Sequence, residues 1–246
     1  MSHTGFACDW PAPARVRSWQ TTRPGGVSSG PYQTLNLALH VGDQPAAVAT
    51  NRDRLRQALK LPGEPAWLEQ IHGNRILDLD RGDQGPADGA VTARAGVVLA
   101  IMTADCLPVL LTAQDGRQIG AAHAGWRGLA SGVLTAAVAQ FDCKPKGLMA
   151  WLGPAIGPDA FEVGAEVRAA FVSADADAAV AFSENARGRW QADLYWLARL
   201  QLQRAGVDAI YGDMRCTYAN PEQYFSHRRE APCGRMASLI WLEPRH

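Results

Sequence analysis

The chain has 246 residues, 47% of them hydrophobic and 20% charged, and its 24 basic and 24 acidic side chains leave no formal net charge. This composition excludes a disordered or highly charged chain. A neutral balance gives no electrostatic basis for nucleic acid or an anionic membrane as the main partner.

The opening residues, MSHTGFACDWPAPARVRSW, hold no basic stretch followed by an apolar one, so no signal peptide is expected and residues 1–13 read as a loosely ordered segment. In chain order, period-2 alternation predicts a strand over 14–22, and apolar residues at i, i+3, i+4 and i+7 predict a helix over 46–61. Strands are expected over 66–72, 75–80, 96–103, 107–113 and 118–124, then a helix over 129–141 and a strand over 147–153. Helices over 163–173 and 192–206 and strands over 209–213 and 236–242 complete the series. In the 192–206 helix, Leu194, Leu197, Leu200 and Leu202 lie with Trp196 on one apolar side, and Gly206 marks the stop. The window AGVVLAIMTADCLPVLLTA (95–113) is long enough to suggest a membrane span. Asp105 and Pro108 near its centre, with its Val, Ile and Thr content, make it two buried strands joined by a tight turn. Strands outnumber helices without strict alternation. One mixed α/β domain over 1–246, with helices outside layered sheets, is the expected class.

Five cysteines (Cys8, Cys106, Cys143, Cys216 and Cys233) are an odd number with no CxxC pair, which argues against a disulfide framework and for a reducing, cytoplasmic location. Glycine-rich connections at 21–32, 123–128 and 152–158 each follow a strand and admit close backbone approach to a ligand, but none has the spacing of a Walker or dinucleotide loop.

Apolar runs exclude ionisable groups unless those groups are satisfied or functional. Asp105 and Cys106 nevertheless sit inside MTADCLPVLL, and His123 ends IGAAH. His72, Cys106 and His123 each stand at a strand end beside a turn, which suggests one rim of a sheet. Two imidazoles and a thiolate suit a borderline-soft divalent ion, and three ligands leave the open position of a catalytic zinc, where a bound water loses its proton near neutrality. The spacings, 34 residues from His72 to Cys106 and 17 from Cys106 to His123, match no short zinc signature, so satisfied core residues remain the alternative. A second use of the same residues is a Cys106 nucleophile with His123 or His72 as base and Asp105 orienting the histidine. A copper site with Met102 is conceivable, but six histidines without an HxH pair are too few for a multicopper oxidase. The nucleobase-deaminase signature is absent. Arg23, Arg52, Arg127, Arg228, Arg229 and Arg235 offer forks for phosphate or carboxylate, or serve as salt-bridge partners. Trp126 in HAGWRG suits either a site wall or the core.

The blocks TTRPGGVS, LNLALHVGD, NRDRL, EQIHGN, ADGAVT, TADCLPVLL, AAHAGWRGL, GPAIGPDAFEVG and CTYANPEQYFSHRR…GRMASL occur in this order. Together, from about residue 15 to 242, they closely resemble the bacterial YfiH-type family, called variously the laccase-domain or polyphenol oxidase family, the purine nucleoside phosphorylase family and the peptidoglycan editing factor. The resemblance implies a four-layer α/β/β/α sandwich with mixed sheets, similar to the catalytic domain of cytotoxic necrotizing factor toxins. It implies metal ligands at His72, Cys106 and His123, with zinc (Zn2+) as the usual ion and copper (Cu2+) in older accounts. It implies phosphorolysis of adenosine, inosine, guanosine and methylthioadenosine, with adenosine deamination, so the expected partners are a purine nucleoside and phosphate. Phosphorolysis needs an anion clamp beside the metal; Arg52 is the first candidate, with Arg23, Arg228 and Asn36 behind it, and Asp105 would orient a ligand or shuttle a proton. The competing expectations are an amidase-like hydrolase editing cell-wall precursors that carry serine, a non-enzymatic metal-binding protein, and last a phenol oxidase. Monomer and dimer stay open.

Overall fold

The computed structural model describes residues 4–212 and 214–244. In chain order, β1 (Gly5–Ala7) and β2 (Val16–Thr21) precede α1 (Pro45–Leu59), and β3 (Ala66–Trp67), β4 (Ile76–Asp78), β5 (Gly89–Thr92), β6 (Val98–Thr103), β7 (Leu107–Ala113) and β8 (Ile119–Ala124) lead to α2 (Trp126–Ala130) and α3 (Val133–Val138). Then come β9 (Leu148–Leu152), β10 (Glu162–Val163), α4 (Ala165–Val172), β11 (Phe182–Glu184), β12 (Trp190–Ala192), α5 (Leu194–Arg204), β13 (Ala209–Tyr211), α6 (His227–Glu230) and β14 (Met236–Leu242).

Two sheets carry the fold, one ordered β1-β2-β14-β6-β3 and one ordered β13-β9-β7-β8-β5-β4, and β10-β12-β11 make a small third sheet. Both large sheets mix parallel and antiparallel pairs, as β3 runs parallel to β6 while β14 runs antiparallel to it. The layering follows from period-2 alternation within strands buried on both faces. On β7, Leu110 packs between the sheets with Leu99, Ile101, Ile119, Trp151 and Ile240. Its neighbours Val109 and Leu111 face the opposite way, against Leu134, Val138, Leu197 and Leu202 of α3 and α5. On β6 and β14, Val98, Ala100, Ala237 and Leu239 meet Leu55 of α1. The layers are therefore α1, the five-stranded sheet, the six-stranded sheet, and α2 to α5. This is the mixed α/β sandwich expected from the sequence.

Several elements differ from expectation. The apolar window 95–113 is indeed two strands, but they lie in different sheets. The helix expected over 129–141 is two helices, because Gly132 adopts φ 82° and breaks the ladder. The strand over 66–72 stops at Trp67, since the amides of residues 71 to 73 bind a side chain instead. Trp196 is 43% exposed rather than on the apolar side of α5; Tyr195 and Ala198 are buried in its place. Gly206, at φ 87°, does close α5, with Val207 N–H reaching back to the Leu202 carbonyl. The N-terminal stretch is not loose over its described part: β1 pairs with β2, and Trp10 Nε1–H donates to Ser18 Oγ at 2.9 Å. Residues 1–3 of that stretch, and Asp213 of the strand expected over 209–213, lie outside the described residues.

Candidate active site

The chain passes from the five-stranded to the six-stranded sheet twice at one rim, from β3 to β4 and from β6 to β7. The parallel pairing of β3 and β6 brings both exits to the same end. His72 lies on the first crossover and Cys106 on the second. β8 runs antiparallel beside β7 and sets His123 opposite Pro108, next to Cys106. The ligand atoms of His72, Cys106 and His123 lie within 4.8 Å of one another, and the two imidazoles meet edge to face with centroids 4.8 Å apart. His72 is exposed, Cys106 half-buried and His123 buried.

The local backbone is shaped for this meeting. His72 and Asp105 both hold left-handed backbone, at φ 61° and 94°, which non-glycine residues adopt at a cost of about 1–2 kcal/mol. Gly125, following β8, leaves room for the thiol: a Cβ there would stand 2.9 Å from Cys106 Sγ and 3.3 Å from His72 Cδ2.

Two carboxylates hold the ligand segments. Asp88 is fully buried; its Oδ1 faces His123 Nδ1 at 2.8 Å and accepts the His72 N–H at 2.9 Å, while Oδ2 accepts the Gly73 N–H at 2.7 Å and the Ile71 N–H at 3.2 Å. Asp105 accepts from Thr217 Oγ1 at 2.6 Å and from the Arg228 N–H at 2.7 Å, which ties the β6–β7 crossover to α6. Each Asp105 oxygen thus holds one donor, which makes the side chain a clamp between the two segments, and Asp105 also lines the cavity described below. Gln70 repairs the ladder that β3 abandons, donating to the Met102 carbonyl and accepting the Met102 N–H, both at 2.8 Å.

The charges reinforce one another. Burial pushes the Cys106 thiol up, but the His123 charge and hydrogen bonds from both histidines outweigh it and hold the thiol below its ordinary value. Burial likewise opposes charge on His123, and the Cys106 thiolate and Asp88 carboxylate overcome it and raise its pKa. Burial would raise Asp88 too; hydrogen bonds from His123 and the Gly73 and His72 amides bring it below the usual carboxylate range. Two imidazoles and a readily ionised thiol make a donor set that fits a borderline-soft divalent ion rather than a hard one.

The cluster lines a cavity of about 410 Å³, within the usual size for small-molecule sites. Ile156, Phe161 and Trp126 supply apolar wall, and His40, His227, Arg127, Arg228 and Arg235 supply the polar one. Among the described residues, none of these three arginines makes an ion pair: Arg228 Nη1 donates to the Glu162 carbonyl, Arg235 Nη1 to the Cys233 and Gly234 carbonyls, and Arg127 lies over the Trp126 ring. Thr103 also lines the cavity, and its buried hydroxyl has no hydrogen-bond partner among the described residues.

Of the residues proposed for phosphate, the structure brings Arg228 to the cavity and leaves the others outside its lining. Arg52 donates twice to the Leu37 carbonyl, at 2.8 and 2.9 Å, and stacks on Trp67. Arg23 pairs with Glu230 at 2.8 Å. Asn36 is buried and holds Asp43, the Ala38 backbone and the Arg235 N–H. Sequence reasoning overlooked Asp88, Gln70, Thr103 and Thr217 as site-forming residues. The one trace of Asp88 was its place in the ADGAVT block.

A four-layer α/β sandwich whose sheet-to-sheet crossovers present a His/Cys/His donor set to a cavity with apolar and cationic walls defines a metalloenzyme-like class. The sequence profile of the family described as multi-copper polyphenol oxidoreductase laccase matches residues 17–243, and the chain belongs to that family. It is 50% identical to a Pseudomonas aeruginosa protein named purine nucleoside phosphorylase, over 96% of this chain and 97% of that one. It is also 50% identical to purine nucleoside phosphorylase YfiH of Escherichia coli, over 95% of this chain and 96% of the relative. A crystal structure of a Neisseria meningitidis protein superposes with TM-score 0.94 at 48% identity, covering 98% of this chain and all of that one (100%). All five cysteines are free thiols, and no described helix is long and apolar enough to cross a membrane.

Proposed function

We propose that this protein is a metal-dependent purine nucleoside phosphorylase that also deaminates adenosine. The names of the relatives at 50% identity support the substrate class. The observation that carries the reading is a single cavity joining the His72–Cys106–His123 donor set to three arginines without acidic partners among the described residues. On a chain with no net charge, that concentration of unpaired cations favours an anionic co-substrate.

His72, Cys106 and His123 would hold the ion, and we assign it as zinc from the donor chemistry. Bound there, zinc supplies Lewis acidity and lowers the pKa of a coordinated water. Arg228 and Arg235 take the phosphate through their guanidinium forks, whose planar geometry matches phosphate oxygens. Ile156, Phe161 and Trp126 cover the base, and the unpartnered Thr103 hydroxyl meets a substrate hydroxyl. A phosphate oxygen attacks C1′ of the ribose. The bond from C1′ to the base nitrogen breaks, its electron pair goes to the base, and the base takes up a proton. His227 is assigned as the donor. The other cavity histidine outside the cluster, His40, is held below its ordinary pKa by burial and by Arg235 and Arg52, so less of it carries a proton to give near neutral pH than of a free imidazole.

The test is a chromatographic assay of protein of known metal content with adenosine, with and without phosphate, beside a Cys106→Ala control. Adenine that requires phosphate, inosine that does not, and loss of both by at least about a hundredfold in the control are expected. Failure of metal-replete protein to turn over any purine nucleoside would refute the reading and move attention to the cell-wall precursor.

A further inference from the structure

We propose that Asp88 is the positioning residue of the metal centre, with one buried carboxylate setting two of its three ligands at once. This rests on the reading of His72, Cys106 and His123 as a metal site and goes beyond it.

The first half of the inference concerns the His123 ring. An ionised carboxylate only accepts hydrogen bonds. With Asp88 Oδ1 at 2.8 Å, Nδ1 of His123 must carry the hydrogen when the imidazole is neutral, and Nε2 is left with the free lone pair. Nε2 is then the atom available to an ion shared with Cys106 and His72. The ring's backbone is held by the same residue, since the His123 N–H donates to the Asp88 carbonyl at 2.6 Å. Ring rotation, ring tautomer and backbone position therefore depend on one side chain and its own main chain.

The second half concerns His72. Three consecutive amides, those of Ile71, His72 and Gly73, converge on the Asp88 carboxylate. A strand points successive N–H groups to opposite sides; a tight turn with a left-handed residue gathers them on one point. His72 is that residue, at φ 61°. Charge-assisted hydrogen bonds are about twice as strong as neutral ones, and they offset the strain of this backbone. His72 is the exposed member of the cluster, so it lacks the packing that fixes His123. The turn around Asp88 is what holds its Cα in place. Asp88 is itself anchored by its N–H, which donates to the Arg75 carbonyl at 2.9 Å just ahead of β4.

The cost of ordering both histidines is thus met on folding, before any ion arrives. Carboxylate partners of metal-bound histidines typically account for ten- to a hundredfold in metal affinity. Here one carboxylate serves two ligands, so the upper part of that range is expected.

The experiment compares wild type, Asp88→Asn and Asp88→Ala. Zinc affinity is read by competition with a chromophoric chelator, with circular dichroism confirming the fold. Histidine nitrogen NMR of the cadmium-113-loaded protein reads which nitrogen of each ring bears the metal. Wild type should couple cadmium to His123 Nε2 with a proton on Nδ1. Asp88→Asn keeps the shape but offers one oxygen to four donors, so it should bind zinc at least about thirtyfold more weakly and lose the single-tautomer signature. Unchanged affinity and an unchanged tautomer in Asp88→Asn would overturn the assignment while leaving the metal centre intact. If the variants do not fold, the wild-type spectrum decides: cadmium on His123 Nδ1 overturns the proposal by itself. If wild type takes up neither zinc nor cadmium, the metal reading has failed, and the Asp88 proposal with it.

Discussion

Gly125→Ala separates the geometry of the metal centre from the stability of the fold. Gly125 has φ −68° and ψ 162°, an extended conformation open to alanine, so the substitution carries no backbone strain. On backbone grounds alone it stabilises the folded chain by about 0.4–1 kcal/mol, because alanine restricts the unfolded state. The added methyl, however, would stand 2.9 Å from Cys106 Sγ, some tenths of an ångström inside ordinary contact, with His72 Cδ2 at 3.3 Å on its other side. The backbone beside it is the end of β8, so the thiol and the imidazole are the groups that give way. Metal–ligand distances tolerate about 0.2 Å, and the sulfur must retreat by more than that. We expect metal affinity to fall by about a hundredfold, roughly 2.7 kcal/mol, while the melting temperature of the metal-free protein holds or rises slightly. Cobalt titration followed through the thiolate-to-metal absorption reads the first quantity, and thermal unfolding in chelator reads the second. Gly132→Ala is the converse control: nothing lies within 4 Å of its added methyl, but φ is 82°, so it should cost about 1 kcal/mol of stability and leave metal affinity alone. Wild-type cobalt affinity in Gly125→Ala would refute the claim that thiol and imidazole close on this glycine.

Two further outcomes concern the Asp105 clamp at the rim and a carboxylate at the far end of β5. Thr217→Val removes the 2.6 Å hydrogen bond to the buried Asp105 carboxylate and should cost about 1–3 kcal/mol by chemical denaturation, with kcat falling because the Cys106 crossover loosens; Thr217→Ser should retain most of both. Asp80 accepts from Thr92 Oγ1, the Ala93 N–H and Arg94 Nε; burial opposes its ionisation, but these bonds outweigh burial and hold its pKa below the ordinary value. A depressed carboxylate contributes stability above its unfolded pKa, about 3.9, and loses it as pH falls through the folded value. Asp80→Asn should therefore be less stable than wild type at pH 7, by about 1 kcal/mol, and the two denaturation curves should converge in the acid range below the folded pKa.

The sequence determined the layers and the donor types. The near-continuous apolar runs 98–103, 107–113 and 118–124 show strands that must be covered on both faces, because a single wet face would leave every second residue polar. Ionisable groups beside those runs pointed to Cys106 and His123, since such groups persist among apolar neighbours only when satisfied or used, and His72 joined them as the end of the strand expected over 66–72. What the sequence left open was whether the three meet. Intervals of 34 and 17 residues say nothing about distance until two crossovers leave one sheet at the same rim. Asp88 was illegible for a related reason: most of its hydrogen bonds come from main-chain amides, and an amide has no sequence signature. The arginines divided in the same way. Arg52 and Arg235 carry identical guanidinium groups. Only packing decided that one is spent on the Leu37 carbonyl and the Trp67 face while the other lines the cavity beside the His/Cys/His cluster. Periodicity and residue chemistry are local properties of the chain; which charge is left without a partner is a property of how distant segments are brought together.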